Sequence, residues 1–200
     1  MSFNSGGKVL HGLMYKPAGP GPFPAVLYNH GSAPGLLNNQ AFDLIGPMFA
    51  TRGWAFFAPY RRGQGLSSDA GPYIVDEIQA ARARGGEPLA AKTMVRLLST
   101  QQLEDQMAAL AWLQRQAFVR PAQIAVLGNS FGGIEAVLGA ERGGYCAAVA
   151  ASGGAESWDE APSLRSVMRR AVQYGHSFAY RGASIWIEDV VRFLETNCKP

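Results

Sequence analysis

The chain has 200 residues, 48% of them apolar and 16% charged, with a net charge of +3. That length suits one domain with a core of its own, and the composition excludes a disordered or collagen-like chain. The charge is too small, and the arginines from Arg61-Arg62 to Arg181 too scattered, for a nucleic-acid-binding stripe.

No apolar run reaches the ~20 residues needed to span a membrane. The opening "MSFNSGGKVLHG" lacks the basic start and apolar segment of a leader. The expectation is a cytoplasmic chain with neither membrane nor nucleic-acid partner. Cys146 lies inside an apolar run and reads as a buried thiol, while Cys198 lies near a frayed end. Two unpaired cysteines in a reducing compartment are therefore expected, not a disulfide framework.

In chain order, "VLHGLMY" (9–15) reads as an early hairpin strand, and the Gly/Pro-rich "KPAGPGPFP" as a turn-forming connection. "PAVLYNH" (24–30) is a short apolar run ending in a glycine-rich turn, the pattern of a strand buried on both faces. "NNQAFDLIGPMFATRG" has helical spacing and stops at Gly53, and "WAFFAP" (54–59) is the next buried strand. The stretch from Ser67 to Leu98 is longer than a simple connection, and reads as either a small helical cap or a plain surface excursion. "STQQLEDQMAALAWLQRQ" is the clearest helix, with Ser99 or Thr100 as cap and Leu103, Met107, Leu110 and Leu113 on one face. After it come a strand at 123–128, a helix at 131–141 and a strand at 145–152. Helical patterns follow in "PSLRSVMRRAV" and "GASIWIEDVVRFLETN". Strands alternating with helices predict an α/β fold, a mostly parallel sheet covered on both faces. Ligands in such sheets bind at the carboxyl ends of the strands.

Two glycine-rich turns lie at such ends, after His30 and around Ser130. Gly128-Asn129-Ser130-Phe131-Gly132 is a G-x-S-x-G pattern set between a strand and a helix. The strained turn projects the serine hydroxyl from the sheet, and flanking glycines let strand and helix pass closely. The helix beginning there aims backbone N–H groups at a developing oxyanion, with the Phe131 N–H as the natural donor. "YRRGQG" lacks the G-x-x-x-x-G-K-[ST] spacing of a phosphate loop. It reads as a tight loop after a buried strand, in which Tyr60 and Arg61 are structural before they are pocket-lining.

Taken together, "PAVLYNHGS", "GWAFFAPYRRGQGLS", "QLEDQMAALAWL", "IAVLGNSFGG" and "YGHSF…WIEDVVRFLE" resemble the α/β-hydrolase fold. Within it they resemble the dienelactone hydrolase-like and prolyl-oligopeptidase-like esterases, almost end to end. The resemblance implies that the backbone at Gly31 or Ser32 supplies a second oxyanion donor. His30 reads as the imidazole that holds this turn.

Of the three histidines, His11 lies in the early hairpin, away from the carboxyl ends. His176 precedes the last helix, where the resembled enzymes carry their base, and the order Ser then His agrees.

The family's acid, an aspartate in a turn before the histidine, has no counterpart. Only 24 residues separate Ala151 from His176, whereas two crossovers of about 10–12 residues and two strands of about 5 need more. The sheet is therefore expected to be shortened at its C-terminal edge, and an open edge invites pairing into a homodimer. Three outcomes stay open for the acid. A substitute carboxylate is offered by Glu156, Asp159 or Glu160, with Asp159 preferred; alternatively a Ser–His pair works without an acid, or the chain binds without turning over. Asp105 and Asp189 read as helix-surface pairing residues.

The resulting expectation is a serine hydrolase acting on small carboxylic esters. Ser130 is the nucleophile, His176 the base and Asp159 the acid; Phe131 with Gly31 and Ser32 forms the oxyanion hole. No metal or cofactor is implied. The alternatives are a catalytically impaired α/β-hydrolase-like binding module and, less strongly, a peptidase or acyltransferase.

Overall fold

The computed structural model describes residues 1–32, 40–151 and 183–199. Within them six strands form one sheet: β1 (Ser2–Ser5), β2 (Lys8–Tyr15), β3 (Phe23–Asn29), β4 (Ala55–Pro59), β5 (Val119–Asn129) and β6 (Ala147–Ala151). Among the described residues five helices accompany them: α1 (Gln40–Ala50), α2 (Ile74–Ser99), α3 (Gln101–Gln114), α4 (Phe131–Arg142) and α5 (Ala183–Asn197). The strand order is β1-β2-β4-β3-β5-β6. β1 and β2 join antiparallel, while β4, β3, β5 and β6 run parallel. This is the α/β architecture expected, with helices on both faces.

The apolar runs predicted to be doubly covered are so. Ala25–Tyr28, Ala55–Ala58 and Ile124–Leu127 are all buried. On one face Val26, Tyr28 and Phe56 pack under Phe42, Ile45 and Phe49 of α1 and Ile187, Val191 and Leu194 of α5. On the other, Leu27, Phe57 and Val126 pack under Ala109, Leu110 and Leu113 of α3 and Ala136 of α4. The chain passes from β3 through α1 to β4 on one side, and by α2 and α3 returns to β5 on the other side of β3. That reversal is a topological switch point, where the crevice at the strand ends opens. The register brings Asn29 beside Gly128, so the turns after β3 and β5 emerge side by side.

Residues 67–98 resolve into a short 3₁₀ segment (Gly65–Ala70) and most of α2, whose backbone breaks at Gly85–Gly86. α2 packs through Ile74, Ile78, Met94, Leu97 and Leu98 against Ile134 of α4.

Four expectations are corrected. Cys146 and Cys198 form a disulfide across a separation of 52 residues. Cys198 is no frayed end: it is 3% exposed and its N–H continues the last turn of α5 to the Leu194 carbonyl. The bridge staples α5 to the start of β6, and loop-closure entropy assigns it about 4 kcal/mol. The pairing removes the argument from free thiols to a reducing compartment. Neither Ser99 nor Thr100 caps α3, because their hydroxyls turn back to the Val95 and Arg96 carbonyls of α2. Leu103, Leu110 and Leu113 are buried on one face as expected, and Met107, half-buried, packs against the same cluster as Leu110 and Leu113. Asp105 is not a surface residue; it is 5% exposed and grips Arg62. Asp189, by contrast, is exposed and faces Arg192 one turn on.

Among the described residues no helix is long and apolar enough to cross a membrane. The expected shortening of the sheet beyond β6 falls in residues 152–182, outside the described residues.

Candidate active site

Ser130 stands between β5 and α4 with φ +57° and ψ −127°, and among the described residues it alone has positive φ without being glycine. A side chain held there costs on the order of 1–3 kcal/mol and persists only where its surroundings enforce it. Here they do. The Ser130 N–H donates to the Ala151 carbonyl at the end of β6, and the Ser130 carbonyl accepts from Gly133 and Ile134, opening α4. A Cβ on Gly128 would lie 1.9 Å from the Gly132 carbonyl oxygen, and one on Gly132 would lie 2.0 Å from that of Asn29. Both obstacles are backbone, so the glycines flanking the serine are demanded by the crossing of β5, α4 and the end of β3.

The turn after β3 lies against the serine: a Cβ built on Gly31 would sit 3.1 Å from Ser130 Cβ and 3.7 Å from its Oγ. Gly31 therefore gives the backbone room to approach. Phe131 is the first residue of α4, and its N–H belongs to the first turn, whose donors the helix ladder leaves for other acceptors. The described residues thus bring together Ser130, Phe131, Gly31 and Ser32. His176, Asp159, Glu156 and Glu160 lie outside the described residues. The carboxyl end of β6, from which that segment continues, is hydrogen-bonded to the serine itself.

Beneath the two turns lies a buried polar layer. His30 is 2% exposed. Its Nδ1–H donates to the Gly31 carbonyl at 2.6 Å, and its Nε2 accepts from the Arg61 backbone N–H at 3.0 Å. The acceptor role of Nε2 places the proton on Nδ1. Burial, reinforced by the Arg61 charge and opposed by the Gly31 carbonyl, lowers its pKa to about 3, so the ring is neutral. It holds the turn, as its sequence position suggested, and both ring nitrogens are engaged.

Arg61, on the loop after β4, is 5% exposed. One amino group donates to Ser32 Oγ at 2.9 Å and Gln64 Oε1 at 3.3 Å; the other donates to the His30 carbonyl at 2.7 Å and Glu135 Oε2 at 2.9 Å. Glu135 stands on α4, and both side chains of this pair are 4% exposed. Burial pushes the Glu135 carboxyl above its usual range, while the Arg61 guanidinium pulls it back. Its neighbour Arg62 turns the other way. The Arg62 guanidinium meets both Asp105 oxygens on α3, at 2.6 and 2.5 Å, and that bond is the main reason its pKa is raised. Tyr73, just before α2, donates its hydroxyl to the Ser32 carbonyl.

A small cavity opens among Asn29, Arg61, Gln102, Asp105, Gln106 and Glu135, with a volume of about 20 Å³. Asn29 Nδ2, both amide ends of Gln102, Gln106 Oε1 and Glu135 Oε1 are buried without a protein partner among the described residues. That volume and that many polar atoms suit one bridging water.

Sequence reasoning missed Glu135, while Arg61 is structural as its position in the loop suggested. A lone carboxylate in the apolar helical run "FGGIEAVLGA" was the available signal, since an unpaired acid is rarely buried.

A family model described as the dienelactone hydrolase family matches residues 10–179. Among curated proteins, the chain is similar to an uncharacterized peptidase, YtmA, from Bacillus subtilis (strain 168). The two are 29% identical over 174 residues, which cover 84% of this chain and 57% of that protein. The chain thus spans little more than half the length of that relative. Among solved structures it is similar to the α/β hydrolase GrgF from Penicillium sp. sh18, with TM-score 0.57, 24% identity, and 84% of this chain and 52% of that one covered. It is also similar to Est1E from Butyrivibrio proteoclasticus with ferulic acid bound, with TM-score 0.56, 19% identity, and 76% and 51% covered. At such identities the likeness is one of fold.

Proposed function

The chain belongs to the dienelactone hydrolase family, and from that premise we propose that it is a serine hydrolase cleaving small carboxylic esters. The observation that carries the reading is the strained Ser130 at the mouth of the switch point, held at φ +57° with Gly31 against its side chain. A structure accepts strain of this kind where the projection of the side chain is itself the use.

In this reading Ser130 Oγ attacks the ester carbonyl, and His176 takes its proton. The tetrahedral oxyanion settles between the Phe131 N–H and the backbone N–H of Gly31 or Ser32. His176 then returns the proton to the leaving alcohol, and water resolves the acyl-enzyme by the same steps reversed. Asp159 is the proposed partner of His176. It follows β6, whose last residue already bonds to the Ser130 backbone. The partner is the small ester; the chemistry draws on these side chains and backbone groups throughout. A peptidase reading has one specific support, the name borne by the Bacillus subtilis relative.

The test is hydrolysis of p-nitrophenyl acetate and of a short peptide p-nitroanilide by the purified chain, beside Ser130→Ala, His176→Ala and Asp159→Asn. Circular dichroism serves as the folding control. Loss of ester turnover in folded Ser130→Ala and His176→Ala supports the proposal, and preference for the anilide shifts it to peptidase. A parent no faster than Ser130→Ala replaces catalysis with binding.

A further inference from the structure

Arg61 makes five hydrogen bonds from a buried position, and their targets are not scattered. Its backbone N–H holds the His30 ring, and its guanidinium holds the His30 carbonyl and Ser32 Oγ. These are the two residues on either side of Gly31. The same guanidinium is anchored to Glu135, which lies on α4 five residues after Ser130, and to Gln64. Two backbone segments that the proposed reaction needs at a fixed spacing, the His30–Ser32 turn and the first turns of α4, are therefore joined through one planar group.

We propose that Arg61 is the positioning residue of the oxyanion hole, holding the donor turn after β3 in register with the Phe131 N–H across the Glu135 anchor. The proposal rests on the reading of Ser130 as nucleophile.

Three physical points favour it. A fully buried ion pair does not stabilise a fold better than apolar side chains of the same volume, because desolvation offsets the attraction. Its value here is then sought in geometry. Arginine suits that role, since its rigid fork meets several acceptors in fixed directions where a lysine ammonium meets them as a point charge. Finally, among the described residues few other side chains hold the turn in place. His30 pins it through Nε2, which again accepts from Arg61, and Tyr73 reaches the Ser32 carbonyl from the start of α2. Removal of the guanidinium releases the turn on the side that faces α4. A donor displaced by about 1 Å costs on the order of 10²-fold in rate, and loss of one oxyanion donor costs about 10²–10³.

The experiment compares the parent with Arg61→Lys, the double variant Arg61→Met/Glu135→Met and Ser32→Ala. The double variant replaces the ion pair with apolar volume, so that no buried charge is left uncompensated. Ser32→Ala deletes one guanidinium bond and leaves the fold its full backbone. Thermal melts establish folding. Steady-state kinetics on p-nitrophenyl acetate then separate kcat from KM, and inhibition by a phenylboronic acid, which forms a tetrahedral adduct on a serine, reports affinity for the transition-state shape.

The expected result is a fall in kcat of about 10²-fold in the double variant, with a smaller fall in Arg61→Lys and the smallest in Ser32→Ala. KM stays near the parent value, and boronate affinity falls in proportion to kcat, the signature of an interaction realised in the transition state. Folded variants that keep the parent kcat and boronate affinity overturn the proposal. So do variants whose KM rises while kcat holds. If the double variant and Arg61→Lys do not fold, Ser32→Ala decides alone, by a parallel loss or none. A parent with no turnover above Ser130→Ala overturns the nucleophile reading and this proposal with it, and that outcome is visible in the parent before any Arg61 variant is measured.

Discussion

The two halves of the central strands follow different rules. Over Ala25–Tyr28, Ala55–Ala58 and Ile124–Leu127 the sheet is packed by aliphatic and aromatic side chains, with Phe49 stacked on Phe56 and Trp112 tilted against Phe57. One to three residues further along, at Asn29, His30, Arg61 and Asn129, the interior turns polar without becoming exposed. The apolar half is non-directional: burial rewards any side chain of about the right volume. The polar half is directional, since each buried donor or acceptor needs a partner at a set angle. The first half accounts for stability. The second resembles a scaffold for geometry, and it lies directly under the two turns of the site.

Substitutions that test this contrast fall in a clear order. The largest effect is expected from Gly132→Ala. Its Cβ would lie 2.0 Å from the Asn29 oxygen and 2.7 Å from that of His30, and neither backbone atom can yield without moving the end of β3. A loss above about 4 kcal/mol is expected, read as a collapse of the urea midpoint; a midpoint near the parent's would show that the crossing is looser than described. Glu135→Ala comes next. It leaves the Arg61 guanidinium buried without its counter-ion, for a loss of about 3–5 kcal/mol. A loss under about 1 kcal/mol would show that water reaches the pair and would blur the contrast between the halves.

Acid lability follows from His30. Its pKa falls from 6.5 to about 3 on folding, so between those values the unfolded chain binds the extra proton. Stability therefore declines as pH drops through that window, by a few kcal/mol in all. Glu135 acts in the opposite sense: its carboxyl is raised by burial, so its contribution is present at low pH and lost as pH rises through its folded value. His30→Gln removes the first slope and leaves the second, and melting temperature against pH separates them. An unchanged acid limb in His30→Gln would assign the lability elsewhere. The smallest effect belongs to the apolar half, where Leu27→Met conserves volume at a fully buried site. A cost below about 1.5 kcal/mol is expected, measured by the same denaturant titration, and a larger one would show that this half too demands a specific shape.

Much of the frame was legible in the chain. The buried strands announced themselves as apolar runs ended by glycine, and the serine as G-x-S-x-G between strand and helix, because these patterns act over a few consecutive residues. The dense helical spacing of "QLEDQMAALAWL" was equally plain, but its polar members misled. Asp105 carries the helical period of a surface position and yet is buried, because Arg62 arrives from a loop 43 residues away. Cys198 looked like an end, and the packing of α5 against the sheet brought it to Cys146. The supposed caps of α3 also answered to neighbours, in their case the preceding turn of α2.

The sequence by itself determined the α/β order of the chain and the turn on which Ser130 stands, since hydrophobic period and glycine placement are local properties of the backbone. Only the tertiary structure decided that Arg61 should meet Glu135 across 74 residues and clasp the turn beside Gly31. That pairing depends on where three separate chain segments come to rest once the sheet has closed, and a buried charge takes its meaning from whatever is then within reach of it.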